Sequence, residues 1–415
     1  MTNHIHTTFG RGQADQFDEY VDFINYVFGF NGNEQDFPKL LPKLYRRELD
    51  PAGNSFIAME DGKIKAAVGA FPGELQVCGQ SLKIIGIGNV SVHPYSRSKG
   101  YMKKLMVMAV DDMIAQGADL SALSGQRQRY NYFSYDYTGA VYKYTVDTTN
   151  LRHCYGNTPL TVTMTEVQAQ DNGHLDFIAG LIKESPYIPA RSREELYPIL
   201  RSWEAVPYVF TEGDRTIGYC VLQGKAVTEI AALTEEDFTA MVRAIVGKVS
   251  RAEFQIPEFQ PAYAQILESI CSQLQITSRE MFSVLNYKNV LEAFLRLKST
   301  YTTLPDGELI ALIHGRAGDE HLHISVKSGE FFITRVHPNA AAVPHTVSSA
   351  SESSSEADSS KNADPAATKI PQVELSHLEA MRYFFSPDCT RRRTGPDFVK
   401  VWFPLPLWIY AADCV

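Results

Sequence analysis

Apolar positions in the first 150 residues switch between two periods. Over 14–28, Phe17, Tyr20, Val21, Ile24 and Phe28 recur three or four apart, which predicts an amphipathic helix with these side chains inward. A second helical stretch is expected over 35–49. Residues 55–59 and 63–71 read as strands joined at Glu60-Asp61-Gly62, a turn sequence that favours a hairpin. A longer apolar strand covers 82–92. After a short polar loop, Met102, Leu105, Met106, Ala109 and Met113 share one helical face. The run 120–123 is short and apolar enough for a buried strand. Helix, helix, meander, strand, loop, helix, strand is the order of a mixed α/β layer.

That order recurs more weakly downstream. Strands are expected at 206–211 and 216–222, around Gly213-Asp214, then at 229–233, followed by a helix over 235–246. A third region opens with a helix over 290–297. It continues with strands at 307–314, 321–326 and 330–335, the last two joined at Lys327-Ser328-Gly329, then a strand at 370–375 and a helix over 376–384. The chain thus divides into 1–150, 151–288 and 289–415. Inside the third region, residues 346–368 are rich in serine, lack apolar periodicity and are expected to form a disordered insertion.

Composition narrows this picture. A chain of 415 residues with 44% hydrophobic and 21% charged content has material for several cores. A net charge of −9 argues against a nucleic-acid binder, which needs a basic face, and suits a cationic small-molecule partner. The start has no basic segment followed by an apolar run, and no window of about 18 apolar residues exists, so neither a leader nor a membrane span is expected. The six cysteines (Cys78, Cys154, Cys220, Cys271, Cys389, Cys414) lack Cys-x-x-Cys spacing and read as free thiols of a cytoplasmic protein. His321 and His323 share a strand face, but two ligands make a poor metal site, so no metal is expected.

The chemistry concentrates where the strand Val90-Ser91-Val92 runs through His93 into Arg97-Ser98-Lys99-Gly100-Tyr101-Met102-Lys103 and a helix. Uncapped N–H groups and the positive end of a helix dipole suit a pyrophosphate. Gly100 permits close approach, and Arg97 and Lys99 add charge. The stretch resembles the coenzyme A loop of the GNAT superfamily of N-acetyltransferases, Arg/Gln-x-x-Gly-x-Gly/Ala. Arg97 and Gly100 match its first and fourth positions, and Met102 departs from the small last residue. The corresponding loop of the second region, Thr234-Glu235-Glu236-Asp237, carries three carboxylates that cap a helix well and repel a pyrophosphate. It reads as a second acetyltransferase-like domain with no coenzyme site.

Two such domains followed by a helix, meander and helix are similar to the enhanced-intracellular-survival (Eis) family of bacterial acetyltransferases. The resemblance implies an α/β (α+β) fold of tandem GNAT-like domains followed by a sterol-carrier-protein-like domain, with acetyl-CoA as cosubstrate. It implies acetyl-donor contacts at Val90, Ser91 and Val92, at 98–103, and at Ser124 and Gly125. It also implies a homo-oligomer, with a hexamer as one form. Tyr130-Asn131-Tyr132-Phe133-Ser134-Tyr135 resembles the family's Tyr-x-x-Phe-Gly-Tyr, with Ser134 for glycine, which makes Tyr130 the general acid. Tyr132, Tyr135 and Tyr137 are its neighbours in the cluster.

In that family the base is the free C-terminal carboxylate. Here the apolar tail 403–415 suits burial, which points to Val415, while Asp413, His93 and water remain rivals. Arg391-Arg392-Arg393 is either a solvated or paired run or an anchor for the tail. The expected acceptor is a primary amine of aminoglycoside, polyamine or lysine-like type. The competing reading is an inactive protein that binds an apolar ligand in its third domain or serves as a scaffold.

Overall fold

The computed structural model describes residues 6–30, 32–336, 370–387, 393 and 395–415. The serine-rich stretch 346–368, Cys389, Arg391 and Arg392 lie outside the described residues.

The first region begins with β1 (Thr7–Arg11) and α1 (Phe17–Gly29). The helix expected over 35–49 does not form. Only α2 (Phe37–Leu40) is α-helical, and Arg47–Leu49 is a single 3-10 turn. Pro38 starts α2, where its missing N–H costs nothing, but Pro42 has no N–H to continue the helix beyond Leu41. β2 (Ser55–Glu60), β3 (Lys63–Val77) and β4 (Gln80–Val92) form the expected meander. α3 (Tyr101–Ala115) and β5 (Leu120–Leu123) follow. Next come α4 (Arg127–Tyr130), β6 (Asp136–Tyr137) and β7 (Val141–Asp147).

The sheets cut across the sequence boundary at 150. The first sheet runs β1-β2-β3-β4-β5, then strand Met281–Val284, then β6, and strand Tyr187–Pro189 pairs with β3 off this path. β7 instead joins the second sheet, beside Arg251–Ile256. In each sheet an antiparallel meander ends in one parallel pair, β4 with β5 in the first and Ala226–Ala232 with Arg251–Ile256 in the second. The strand next to that pair comes from the other region: Met281–Val284 lies antiparallel to β5, and β7 lies antiparallel to Arg251–Ile256. This exchange ties the two regions together with backbone hydrogen bonds.

The third sheet holds Glu330–Arg335, Gly318–Lys327, Gly307–Gly315 and Gln372–Ser376 in that order. Helices Tyr287–Ser299 and His377–Phe385 pack with its inner face, where Phe294, Leu309, Ile324 and Phe384 share a filled core. That core also takes in Leu75, Leu82 and Tyr187 of the first sheet, so the third region is fused to the first. His323 is hydrogen-bonded to Glu308 across the strand pair at 2.9 Å. The five described cysteines are free thiols. Among the described residues no helix is long and apolar enough to cross a membrane.

From this core the tail runs back to the first sheet. Phe403, Leu405, Leu407, Trp408 and Tyr410 are all buried. Lys298 Nζ donates to Pro404 O at 2.6 Å, Leu405 N to Phe384 O at 2.7 Å, and the Tyr187 hydroxyl to Trp408 O. Arg393 is itself buried and donates to the carbonyls of Tyr383, Ser386 and Phe403. Of the two readings of the arginine run, this one position follows the second: it anchors the root of the tail.

Candidate active site

β4 and β5 run together only from Ile84↔Leu120 to Ile87↔Leu123. Beyond that point β4 continues alone on one side. The register Gly69↔Gly88 and Ala67↔Ser91 places one extra residue in β4, and Asn89 takes a positive φ of 49°. This is a β-bulge, which bends the strand away from its neighbour. One edge of residues 88–92 is therefore without a ladder partner, where Val90, Ser91 and Val92 lie. Ser91 Oγ, in a side chain 3% exposed, has no hydrogen-bond partner. Asn89 Nδ2 donates to the Tyr45 hydroxyl, which fixes the bulge to the opposite wall.

The loop then turns sharply. His93 Nδ1 accepts from Tyr95 N at 3.3 Å and its ring stacks on Tyr26, so it caps the turn; burial lowers its pKa from the ordinary value. Ser98 and Gly100 both have positive φ, 66° and 80°, and α3 starts with no side-chain cap and no acidic residue in its first turn. Its first N–H groups are open to an anion, as a pyrophosphate requires. Arg97 is exposed beside them. Lys99 is not available in the same way. Its Nζ is paired with Glu60 Oε1 at 2.6 Å, the Tyr101 hydroxyl donates to the same carboxylate, and these bonds hold the Glu60 carboxyl below its usual range. Lys103 lies over the Tyr132 ring at 4.6 Å. Met102, the departure from the motif, packs its side chain against the core under α3, so its size is absorbed away from the loop surface.

The equivalent helix of the second region, Glu235–Val249, is closed. Thr234 caps Asp237 N, three acids occupy its first turn, and Arg215 pairs with Asp237 at 2.6 Å.

Past β5, Ser124 is exposed, and its hydroxyl donates to Glu280. Gly125 takes a φ of 141°, and a Cβ there would lie 2.7 Å from Tyr130 Cε2, so the glycine admits the tyrosine ring. Tyr130 is 5% exposed and shares a core with Ile85, Ile87 and Leu123. Burial raises its phenol pKa, against the lowering effect of Arg129. Its neighbours are placed differently. Tyr135 donates to Ser121 Oγ at 2.7 Å, Tyr137 donates to Gly125 O at 2.9 Å, and Tyr132 is 65% exposed.

The tail reaches the same strand from the other face. A Cβ on Gly86 would meet Val415 Cγ2 at 2.5 Å, and one on Gly88 would lie 3.3 Å from the Val415 carboxyl carbon. Side chains alternate along a strand, so the Gly86/Gly88 face is opposite the Ile85/Ile87 face that holds Tyr130. Four groups outside the sequence motifs hold the last residues. Lys43 Nζ donates to Ala412 O at 2.5 Å and to Cys414 O at 2.6 Å. Burial pushes its pKa down to about 8, with Asp413 opposing. Trp203 Nε1 donates to Cys414 O at 3.1 Å from a residue held at φ 62°, a conformation that costs a bulky side chain about 1–2 kcal/mol.

Arg191, almost fully buried, bridges Asp413 (2.7 and 3.0 Å) and Glu229 (2.7 and 2.8 Å). Asp413 is thus committed to an ion pair, whereas no ion pair to the Val415 carboxylate forms among the described residues. Glu280, 5% exposed, sits between Ser124 and Cys414, and burial raises its carboxyl pKa. None of Lys43, Trp203, Arg191 or Glu280 carries a local sequence signal, because the tail residues that each holds lie at least 130 positions away.

A cleft of about 830 Å³, with Val415 and Gly86 in its lining, lies between β3 and β4 on one side and helices Asn172–Lys183 and Leu196–Leu200 on the other.

Residues 9–139 match the family model described as an acetyltransferase (GNAT) domain. Over these residues the first region is similar to an acetyltransferase domain. Solved structures similar over nearly the whole chain include a conserved protein from Enterococcus faecalis V583 described as a probable N-acyltransferase (TM-score 0.64, 14% identity, 96% of this chain and 95% of that one). Eis1 from Mycobacterium abscessus aligns with TM-score 0.62 and 13% identity over 99% of this chain and 100% of that one. A GCN5-related N-acetyltransferase from Kribbella flavida aligns with TM-score 0.55 and 17% identity, covering 80% and 83%. At these identities the likeness is one of fold. A search of curated protein sequences finds no significant match.

GNAT domains use acetyl-CoA, and the open α3 N-terminus, exposed Arg97 and unpaired edge of β4 fit its pyrophosphate and extended arm. Because Lys99 is engaged by Glu60, the two cations separate. Arg97→Ala is expected to raise the acetyl-CoA Kd about tenfold or more, the worth of one charge-assisted contact. Lys99→Ala should change it less than about threefold; calorimetric titration decides, and equal losses would refute the distinction.

Proposed function

We propose that the protein transfers an acetyl group directly from acetyl-CoA to a primary amine, with Tyr130 as general acid and the Val415 carboxylate as general base. The observation that carries this reading is the pair of approaches to one strand: Val415 against Gly86 and Gly88 on one face, Tyr130 on the other. The Val415 carboxylate accepts the proton that an ammonium must lose before its nitrogen has a lone pair. The nitrogen attacks the thioester carbonyl, whose oxygen gains charge beside unpaired N–H groups of 88–92, among which we assign Val92 the main role. As the C–S bond breaks, the Tyr130 hydroxyl donates to the sulfur. A phenol kept protonated by burial suits that step.

In the same reading the second region is a GNAT-like domain without a coenzyme site, its helix N-terminus filled by its own acids. The third is a sterol-carrier-protein-like domain whose task is to deliver the tail. Its filled inner face favours this over storage of an apolar ligand. Purified protein with acetyl-CoA and a panel of amines is expected to release free coenzyme A thiol in step with N-acetylated product. Thiol release independent of amine, or none at all, would refute transfer.

A further inference from the structure

The acceptor side of this site has a chemistry of its own. Most of the wall of the cleft is apolar, including Leu49, Leu75, Ile84, Ile182, Leu196 and Ile199. The cations on the lining are Lys43, Lys183, Arg191 and Arg193. The anions are Glu74, Glu195, Asp413 and the Val415 carboxylate, so four charges of each sign leave no net field to gather a polycation.

The anions are also unequal. Asp413 is held by Arg191 and Glu195 by Arg46. Glu74 is exposed and accepts from Ser81 Oγ at 2.7 Å and from Gln76. Among the described residues neither Glu74 nor the Val415 carboxylate forms an ion pair, and of the two it is Val415 that lies against Gly86 and Gly88 of β4. One ammonium can therefore be matched beside Gly86 and Gly88. A second would find a carboxylate without an ion pair only at exposed Glu74, and elsewhere an apolar wall or one of the lining cations, and burying an unpaired ammonium is costly. The volume is right for a body much larger than the amino group.

We infer that the acceptor is a monoamine carrying an aliphatic or aromatic body, not a polyamine or an aminoglycoside. This rests on the reading of Val415 as the place where the amine reacts. It narrows the amine classes that composition suggested: overall acidity is a property of the whole surface, and the cleft is locally neutral.

Butyl-, hexyl- and phenethylamine, spermidine and a deoxystreptamine aminoglycoside would be compared on the full chain, by thiol release and separately by calorimetric binding. Between butylamine and hexylamine, kcat/KM should rise about fourfold per methylene, the usual gain for a buried CH2. The two polycations should fall at least tenfold below hexylamine. Ile182→Glu should lower hexylamine kcat/KM at least tenfold, and the surface variant Lys183→Glu should narrow the gap for spermidine. Polycations turned over as well as hexylamine would overturn the inference while leaving transfer intact. Chain-length-dependent binding without acetylation would support the inference and refute transfer instead.

Discussion

Appending even one residue after Val415 lowers kcat by about 10²–10⁴-fold, the usual worth of a positioned proton acceptor, while acetyl-CoA affinity stays within about twofold. The tail has no slack. Lys43, Trp203 and Arg191 fix residues 412–414 through their carbonyls and the Asp413 carboxylate, and the Val415 side chain fills the space left by a missing Cβ at Gly86. An added residue moves the terminal carboxylate by up to about 3.5 Å and puts a peptide bond, which is no base, in its place. Gly86→Ala tests the same geometry from the opposite side: its Cβ would stand 2.5 Å from Val415 Cγ2, so the tail must shift. A semisynthetic protein ending in a Val415 carboxamide separates charge from position, keeping the shape and losing the base. Steady-state kinetics with a fixed amine is the measurement. Full turnover by the extended or the amidated protein would remove Val415 from the mechanism.

Tyr130→Phe lowers kcat by about 10²-fold or more and leaves the acetyl-CoA Kd within about twofold. The substitution keeps the ring that fills the space beside Gly125 and Leu123, so packing is preserved and only the hydroxyl is lost. Burial raises the phenol pKa from its ordinary value of 10.0, so the proton stays on below that pH and loss of the acid adds no falling limb there. Gly125→Ala is the companion variant. It forces a Cβ to 2.7 Å from the ring at a φ of 141°, displacing the same hydroxyl without removing it. Unchanged kcat in Tyr130→Phe would end its candidacy. Tyr135→Phe should instead cost stability, because its hydroxyl bridges to Ser121 inside the sheet.

Legibility in the sequence followed the range of the forces involved. The strand, loop, α3 and β5 were readable because each is set by neighbours within a few residues: alternation, a glycine at positive φ and an apolar stripe. The closed loop at 234–237 was readable for the same reason. The helix expected over 35–49 stops at Leu40 because Pro42 breaks it despite the apolar spacing. The break matters, since it leaves Lys43 on a turn that reaches the tail. The loop position of Lys99 suits a phosphate ligand, whereas its pairing with Glu60, 39 residues earlier, is a contact between β2 and the loop that no local pattern signals.

By itself, then, the sequence carries the pattern of a strand, a glycine-containing loop and a helix in an α/β layer, a weaker copy whose loop is acidic, and an apolar segment over 403–415. Tertiary structure alone decided three further things: that strands 141–147 and 281–284 lie in each other's sheets, that Val415 ends against Gly86 and Gly88, and that the cleft beside it is apolar and electrically balanced. The physical reason is distance along the chain. Gly86 and Val415 are brought together by packing of the whole molecule, and the charge of a cleft depends on which distant side chains meet there, neither of which leaves a periodic trace in the order of residues.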